Sequence, residues 1–210
     1  MIALKVLLFN GSPHKNGCTY TALEEVAKTL QEESVETEII QVGSVAFQGC
    51  TACGGCKDGK CVFGHKDGLN EIVDKCKTAD GFVFGSPVYY ASPNGTMLSF
   101  MDRLFYTAGR SFAHKPGAVV ASARRAGTTV SLDTLTKYLT ISQMPVVSST
   151  YWTMVHGSCA EDVKKDEEGL QTMRNLGRNM AWLLKCIEAG RSAGMDTPAA
   201  ERNHRTNFIR

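Results

Sequence analysis

The chain has 210 residues, 43% of them hydrophobic and 21% charged, with a formal net charge of +2. That balance fits one soluble globular domain with a full core. It argues against a nucleic-acid partner, and no stretch is apolar enough to span a bilayer. The amino terminus runs into an apolar stretch without a leader pattern, so a reducing cytoplasm is expected. The eight cysteines then read as metal ligands, redox groups or buried thiols rather than structural disulfides.

Residues Ala3 to Phe9 form a short apolar run bounded by turn residues, the pattern of a buried parallel strand. Asn10-Gly11-Ser12-Pro13-His14-Lys15-Asn16-Gly17-Cys18-Thr19 follows, and then Ala22, Val26, Ala27 and Leu30 at helical spacing as far as Glu33-Ser34. A Gly-, Ser-, Asn- and Thr-rich loop that ends at a helix start offers free backbone N–H groups and the positive end of a helix dipole. The expected ligand is a phosphate. The loop is neither Gly-Lys-Ser/Thr nor Gly-x-Gly-x-x-Gly. The plain alternative is an ordinary turn with Thr19 as helix N-cap. Glu38 to Val42 is a second strand, completing a crossover unit.

Four cysteines come next, Cys50-x-x-Cys53-x-x-Cys56-x-x-x-x-Cys61, interleaved with Gly54, Gly55 and Gly59. Such a loop can wrap one metal centre, with glycines supplying the tight bends. A 4Fe–4S cluster and a tetrahedral zinc both satisfy the count. Hooks in series lie closer to a cluster loop than to paired zinc hooks across a longer gap. Reduced thiols, or one labile disulfide, are the third reading.

Leu69 to Cys76 has helical periodicity that places Cys76 in the core. Phe82 to Pro87 is a third, central strand. At its carboxyl end Pro87-Val88-Tyr89-Tyr90-Ala91-Ser92-Pro93 sets two tyrosines where open α/β sheets bind ligands, a flat wall suited to an aromatic ring. A helix from about Thr96 to Ala108 follows, with Asp102 and Arg103 read as a structural pair. Ala118 to Ser122 is the fourth strand. It feeds the loop Ala123-Arg124-Arg125-Ala126-Gly127-Thr128, whose arginines suit a phosphate or the negative charge of a reduced ring, or else form a solvated turn. Leu132 to Ser142 is a helix, and Met144 to Val147 starts the fifth strand. Trp152 and His156 fall in a loop. One long helix is expected over Glu161 to Ile187. The reading is a doubly wound parallel sheet of order 2-1-3-4-5 over residues 1–189, with a polar tail over 190–210.

The first loop resembles the Gly-Ser-Pro-Arg-x-x-Gly-Asn-Thr phosphate loop of the NADPH-dependent FMN reductase group of flavodoxin-like proteins. Gly85 to Pro93 resembles that group's second flavin loop, and the cysteine run resembles the compact cluster motif of its iron–sulfur flavoproteins. The resemblance implies a flavodoxin-like fold and bound FMN. Ser12, His14, Gly17, Cys18 and Thr19 would hold the phosphate, and Pro87, Val88, Tyr89 and Tyr90 would lie along the isoalloxazine ring. Arg124, Arg125, Gly127 and Thr128 would close its polar edge. It also implies a homodimer or homotetramer, with a 4Fe–4S cluster on Cys50, Cys53, Cys56 and Cys61. The chain departs from the pattern at Cys18, where Asn is usual. A thiol at a helix N-terminus is expected to have a lowered pKa.

The activity implied is transfer of electrons from NAD(P)H or a reduced iron–sulfur protein, through FMN, to a small acceptor such as a quinone. No catalytic acid or base is required. The alternatives are a flavodoxin-like electron carrier, usually small and acidic, and a redox or metal sensor built on the cysteine loop.

Overall fold

The computed structural model describes residues 3–208. Strand β1 (Lys5–Asn10) leads into helix α1 (Cys18–Glu32) and strand β2 (Glu36–Gln41). After the cysteine loop come α2 (Leu69–Thr78), β3 (Gly81–Tyr89), β4 (Ser92–Pro93) and α3 (Gly95–Ala108). The chain continues through β5 (Gly117–Ala123), α4 (Thr128–Ile141), β6 (Met154–His156), α5 (Ala160–Val163) and α6 (Glu167–Ser192).

Five strands pair in parallel in the order β2-β1-β3-β5-β6, and the short β4 folds back on β3. With β4 set aside, this is the 2-1-3-4-5 order expected. Side chains alternate across a strand, so a strand covered on both faces must be apolar throughout. In β1, Leu7 and Phe9 enter one core with α2, α3 and α4, while Val6 and Leu8 enter the other with α1 and α6. Phe9 stacks on Phe84 of β3 at 5.0 Å between ring centroids. Cys76 is fully buried, and its thiol is pushed up to about 12 by that burial.

The structure corrects four expectations. Met144 to Val147 makes only an isolated bridge from Val146 to Gly117. The edge strand proper is Met154–His156, pairing with Ala121–Ala123, so His156 lies on a strand. The chain leaves the sheet after Val147 and returns, which a short half-exposed strand can do without burying a broken ladder. The long last helix is two. Asp166 caps a new start by accepting from the Gly169 N–H at 2.9 Å. The second of these helices reaches Ser192, three residues into the expected tail. Asp102 and Arg103 are not a pair, because neighbours on a helix point apart. Asp102 accepts from the Tyr138 hydroxyl, and Arg103 pairs with Asp67.

Candidate functional site

The carboxyl ends of β1, β3, β5 and β6 surround a cleft of about 860 Å³. Ligands of open α/β sheets sit at this edge, where the strand order reverses. Its first wall is the loop after β1. Asn10, fully buried, holds that loop: its Oδ1 accepts from the Ser12 N–H at 3.1 Å, and its Nδ2 donates to Gln41 Oε1 at 2.6 Å. Gln41 in turn donates to the Ser12 carbonyl at 2.6 Å. Gly43 lies against the same loop so closely that a Cβ there would come within 2.1 Å of the Gly11 carbonyl oxygen. A polar pair and one missing side chain therefore fix the loop from outside.

The loop ends at α1. Gly17 is the N-cap, with no side-chain cap and no acidic residue in the first turn. Thr19 is not the cap. It is buried, and its hydroxyl meets Ser122 Oγ at 2.8 Å, joining α1 to the end of β5. The amino terminus of α1 is thus left for an anion, with Ser12, His14, Lys15, Gly17, Cys18 and Thr19 all on the cleft. Cys18 corrects a further expectation. Burial pushes its thiol above the ordinary 9.0, a backbone N–H only partly opposes this, and Cys159, Asp162 and Glu161 add to the rise. The thiol donates to the Gly157 carbonyl at 3.4 Å, which favours the neutral form.

The second wall is the end of β3. The strand runs through Pro87 and Val88 to Tyr89, and these three line the cleft. Tyr90 does not; it stands fully exposed at the tip of the β3–β4 hairpin. Tyr90 and Ala91 both take left-handed backbone, φ 51° and 57°, in the two-residue turn between Tyr89 and Ser92. Such turns favour Asn-Gly, so this hairpin holds non-glycine residues where they are uncommon. Gly127 packs on this turn, with φ 98° and its missing Cβ only 2.7 Å from the Ala91 Cα.

Of the third loop, Ala123 and Arg124 reach the cleft. Arg125, Gly127 and Thr128 lie beside it: Arg125 presents its carbonyl to His156 Nε2 at 3.2 Å, and the Thr128 hydroxyl donates to Met154 Sδ at 3.1 Å. The fourth wall, Gly157-Ser158-Cys159-Ala160-Glu161, has no counterpart among the expected site residues. Its signal is readable, since it repeats the small-polar run between a strand and a helix that marks the first loop.

The four cysteines do not line this cleft. They border a separate cavity of about 20 Å³ with Gln48, Arg103 and Thr107. Left-handed backbone at Ala52, Gly54, Asp58 and Gly59 winds the loop around it. Cys61 is buried with its sulfur 3.4 Å from Arg103 Nη2, and Cys56 Sγ lies 3.5 Å from the Thr107 hydroxyl. Burial opposes the Arg103 charge, but bonds from Asp67 and Cys61 outweigh it and hold the guanidinium more firmly protonated. Four thiols around one cavity, beside a buried cation, are the donor chemistry of an iron–sulfur cluster. Among the described residues no three His, Cys, Asp or Glu side chains are placed to hold a metal ion. Among the same residues no helix is long and apolar enough to cross a membrane.

For FMN the fit is direct. The cleft offers an uncapped helix terminus for a phosphate, and beyond it an aromatic and apolar wall from β3.

Solved structures share this architecture. RosB, solved with bound 8-demethyl-8-formylriboflavin-5'-phosphate, superposes with TM-score 0.70 at 17% identity, covering 99% of this chain and 94% of its own. An archaeal flavodoxin gives 0.57 at 17% identity, covering 86% and 98%. At that identity they establish the flavodoxin-like fold alone. An iron–sulfur flavoprotein of Methanocaldococcus jannaschii is 32% identical over 194 residues, covering 88% of this chain and all of its own length. One from Methanosarcina thermophila is 25% identical, covering 90% and 99%. The family model described as NADPH-dependent FMN reductase matches residues 4–158, which hold the whole cysteine loop and all of the cleft except its last three residues. The chain belongs to the NADPH-dependent FMN reductase and iron–sulfur flavoprotein family.

Proposed function

We propose that the chain is an FMN-dependent oxidoreductase, taking electrons from NAD(P)H or a reduced iron–sulfur protein and delivering them to a small acceptor such as a quinone. The observation that supports this most is the open amino terminus of α1, facing a cleft at the carboxyl ends of four parallel strands. When bound there, FMN supplies the hydride and single-electron chemistry.

The chain's own residues bind and orient. Ser12, His14, Gly17, Cys18 and Thr19 hold the phosphate, chiefly through backbone N–H groups and the dipole of α1. Ser12 Oγ accepts from the His14 N–H at 3.2 Å and keeps its proton for the ligand. Pro87, Val88 and Tyr89 form the wall for the ring. Arg124 and Lys15 bring positive charge to the cleft, while the Glu161 carboxyl, held below its ordinary pKa by its own backbone N–H and the Cys159 thiol, sets a negative limit on its far side. In the same reading Cys50, Cys53, Cys56 and Cys61 would hold a 4Fe–4S cluster, supported by four free thiols on one loop and by relatives named iron–sulfur flavoproteins. The assembly proposed is a homodimer or homotetramer.

An absorbance spectrum with iron and sulfide assays, on protein purified without oxygen, tests this. Flavin peaks over a broad background with about four irons per chain support both cofactors, and bleaching by NADH or NADPH supports the hydride donor. Flavin without iron leaves an FMN oxidoreductase with free thiols. A colourless protein that rejects added FMN overturns the proposal.

A further inference from the structure

Arg103 is almost fully buried in the middle of α3, at 4% exposure, and it touches three points of one loop. Its Nη1 donates to the Gln48 carbonyl at 3.4 Å, just ahead of Cys50. Its Nη2 lies 3.4 Å from Cys61 Sγ, the last of the four thiols. Both nitrogens reach the carboxylate of Asp67, beyond the last cysteine. Asn70, at the start of α2, adds a second clamp on Cys61: its Oδ1 accepts from the Cys61 N–H at 2.9 Å, and its Nδ2 donates to the Cys61 carbonyl at 3.0 Å. Among the described residues the other three cysteines have no comparable anchor; Cys50 and Cys53 are exposed, and Cys56 is half-buried beside Thr107.

We propose that Arg103 is the positioning residue of the cysteine loop, closing both ends of the loop on one guanidinium and presenting Cys61 as its fixed thiol, around which Cys50, Cys53 and Cys56 gather. The planar fork of Arg is required, because one point charge cannot serve a carbonyl, a sulfur and a carboxylate in three directions. The buried cation also has an electronic role. An N–H donated to a ligand sulfur stabilises the more negative, reduced state of a cluster, and so raises its potential. That second role rests on the cluster reading under Proposed function; the closing of the loop does not.

Two measurements separate these. In metal-free protein, amide hydrogen exchange is followed peptide by peptide in wild type, Arg103→Gln, Arg103→Lys and Asp67→Asn. The expected result is exchange at least tenfold faster over residues 48–67 in Arg103→Gln. In Arg103→Lys the increase is nearly as large, in Asp67→Asn smaller, and protection of β1, β3 and β5 is kept in all. Unchanged exchange over 48–67, or a uniform rise across the whole chain, overturns the proposal. Should Arg103→Gln fail to fold, Asp67→Asn carries the comparison. Iron and sulfide are assayed on wild type separately. If they are absent, the cluster reading fails and the exchange data still decide the positioning role. If they are present, a potentiometric titration followed by electron paramagnetic resonance should place the Arg103→Gln midpoint below wild type, with Arg103→Lys between. Equal midpoints in all three overturn the electronic role.

Discussion

The thiol of Cys18 donates to the carbonyl of Gly157, 3.4 Å away, across the mouth of the sheet from α1 to the end of β6. A cysteine in the first turn of a helix is ordinarily more acidic. Here desolvation and the nearby carboxylates of Glu161 and Asp162 reverse the sign, so the group is a neutral donor at neutral pH. Alkylation of Cys18 in flavin-free protein is therefore expected to be slower than that of a free cysteine at pH 7.5, and to accelerate only above pH 9.0, its unperturbed value. Peptide mass spectrometry of iodoacetamide adducts checks it. A Cys18 rate above that of the exposed Cys186 at pH 7.5 would contradict the geometry.

Gly43 should not tolerate a side chain. A Cβ would meet the backbone of Gly11 and Ser12 at 2.1 to 2.3 Å, and backbone cannot rotate away. Gly43→Ala is expected to displace the first loop and lose roughly 1–3 kcal/mol of stability. The loss of FMN affinity should be larger than in a control substitution in the tail. Urea denaturation and fluorescence titration with FMN measure the two effects.

Asn94 performs three tasks. Its Oδ1 accepts from the Met97 N–H at 3.1 Å as the cap of α3, its Nδ2 donates to the Gly11 carbonyl at 2.6 Å, and its own N–H meets Ser86 Oγ at 3.1 Å. Asn94→Ala loses a cap, about 1 kcal/mol. It also leaves a buried carbonyl unpaired, about 1–3 kcal/mol. A total near 2–4 kcal/mol is expected from those terms, read as a lower denaturation midpoint at unchanged slope. Asn94→Asp should recover the cap but not the Gly11 contact.

Glu38 of β2 binds Lys75 of α2 and, at 3.2 Å, Lys5 of β1. The hydrogen bond from Lys75 is the main reason its carboxyl lies below the ordinary 4.5; burial, the next largest effect, opposes it, and Lys5 adds a smaller lowering. A lowered carboxylate pKa stabilises the fold above the unfolded value, and that contribution disappears as pH falls through the folded one. Glu38→Gln is expected to cost about 0.5–1 kcal/mol at pH 7, given partial exposure. The gap from wild type should close below pH 4.5. Thermal denaturation from pH 3 to 8 tests the sign.

The central layers were legible because burial leaves a strong pattern. β1, β3 and β5 are apolar on both faces, and α1, α2 and α3 repeat at helical spacing. The edge was not. Met154–His156 is three residues long and half covered, so the apolar Met144 to Val147 looked the better strand. The break before Asp166 carries no glycine or proline, only a cap whose partner is three residues on. In the cleft, the loop at Ser12 to Thr19 and the wall at Pro87 to Tyr89 could be read from strand ends. Tyr90 could not be separated from Tyr89, because the hairpin that turns it outward depends on pairing with Ser92 and Pro93. Asn10, Gln41 and Asp67 act through partners distant in sequence, which periodicity does not report.

Helix α3 begins at the cap that grips the first loop and carries, two and a half turns later, the guanidinium that grips the cysteines. At 1.5 Å per residue the two grips are about 14 Å apart along a single stiff rod. The helix therefore works as a gauge bar, setting the spacing between the α1 end of the cleft and the thiol loop whatever the intervening chain does. Substitutions that tilt one end should register at the other, and the two sites are free to vary in sequence only in ways that leave this common ruler straight.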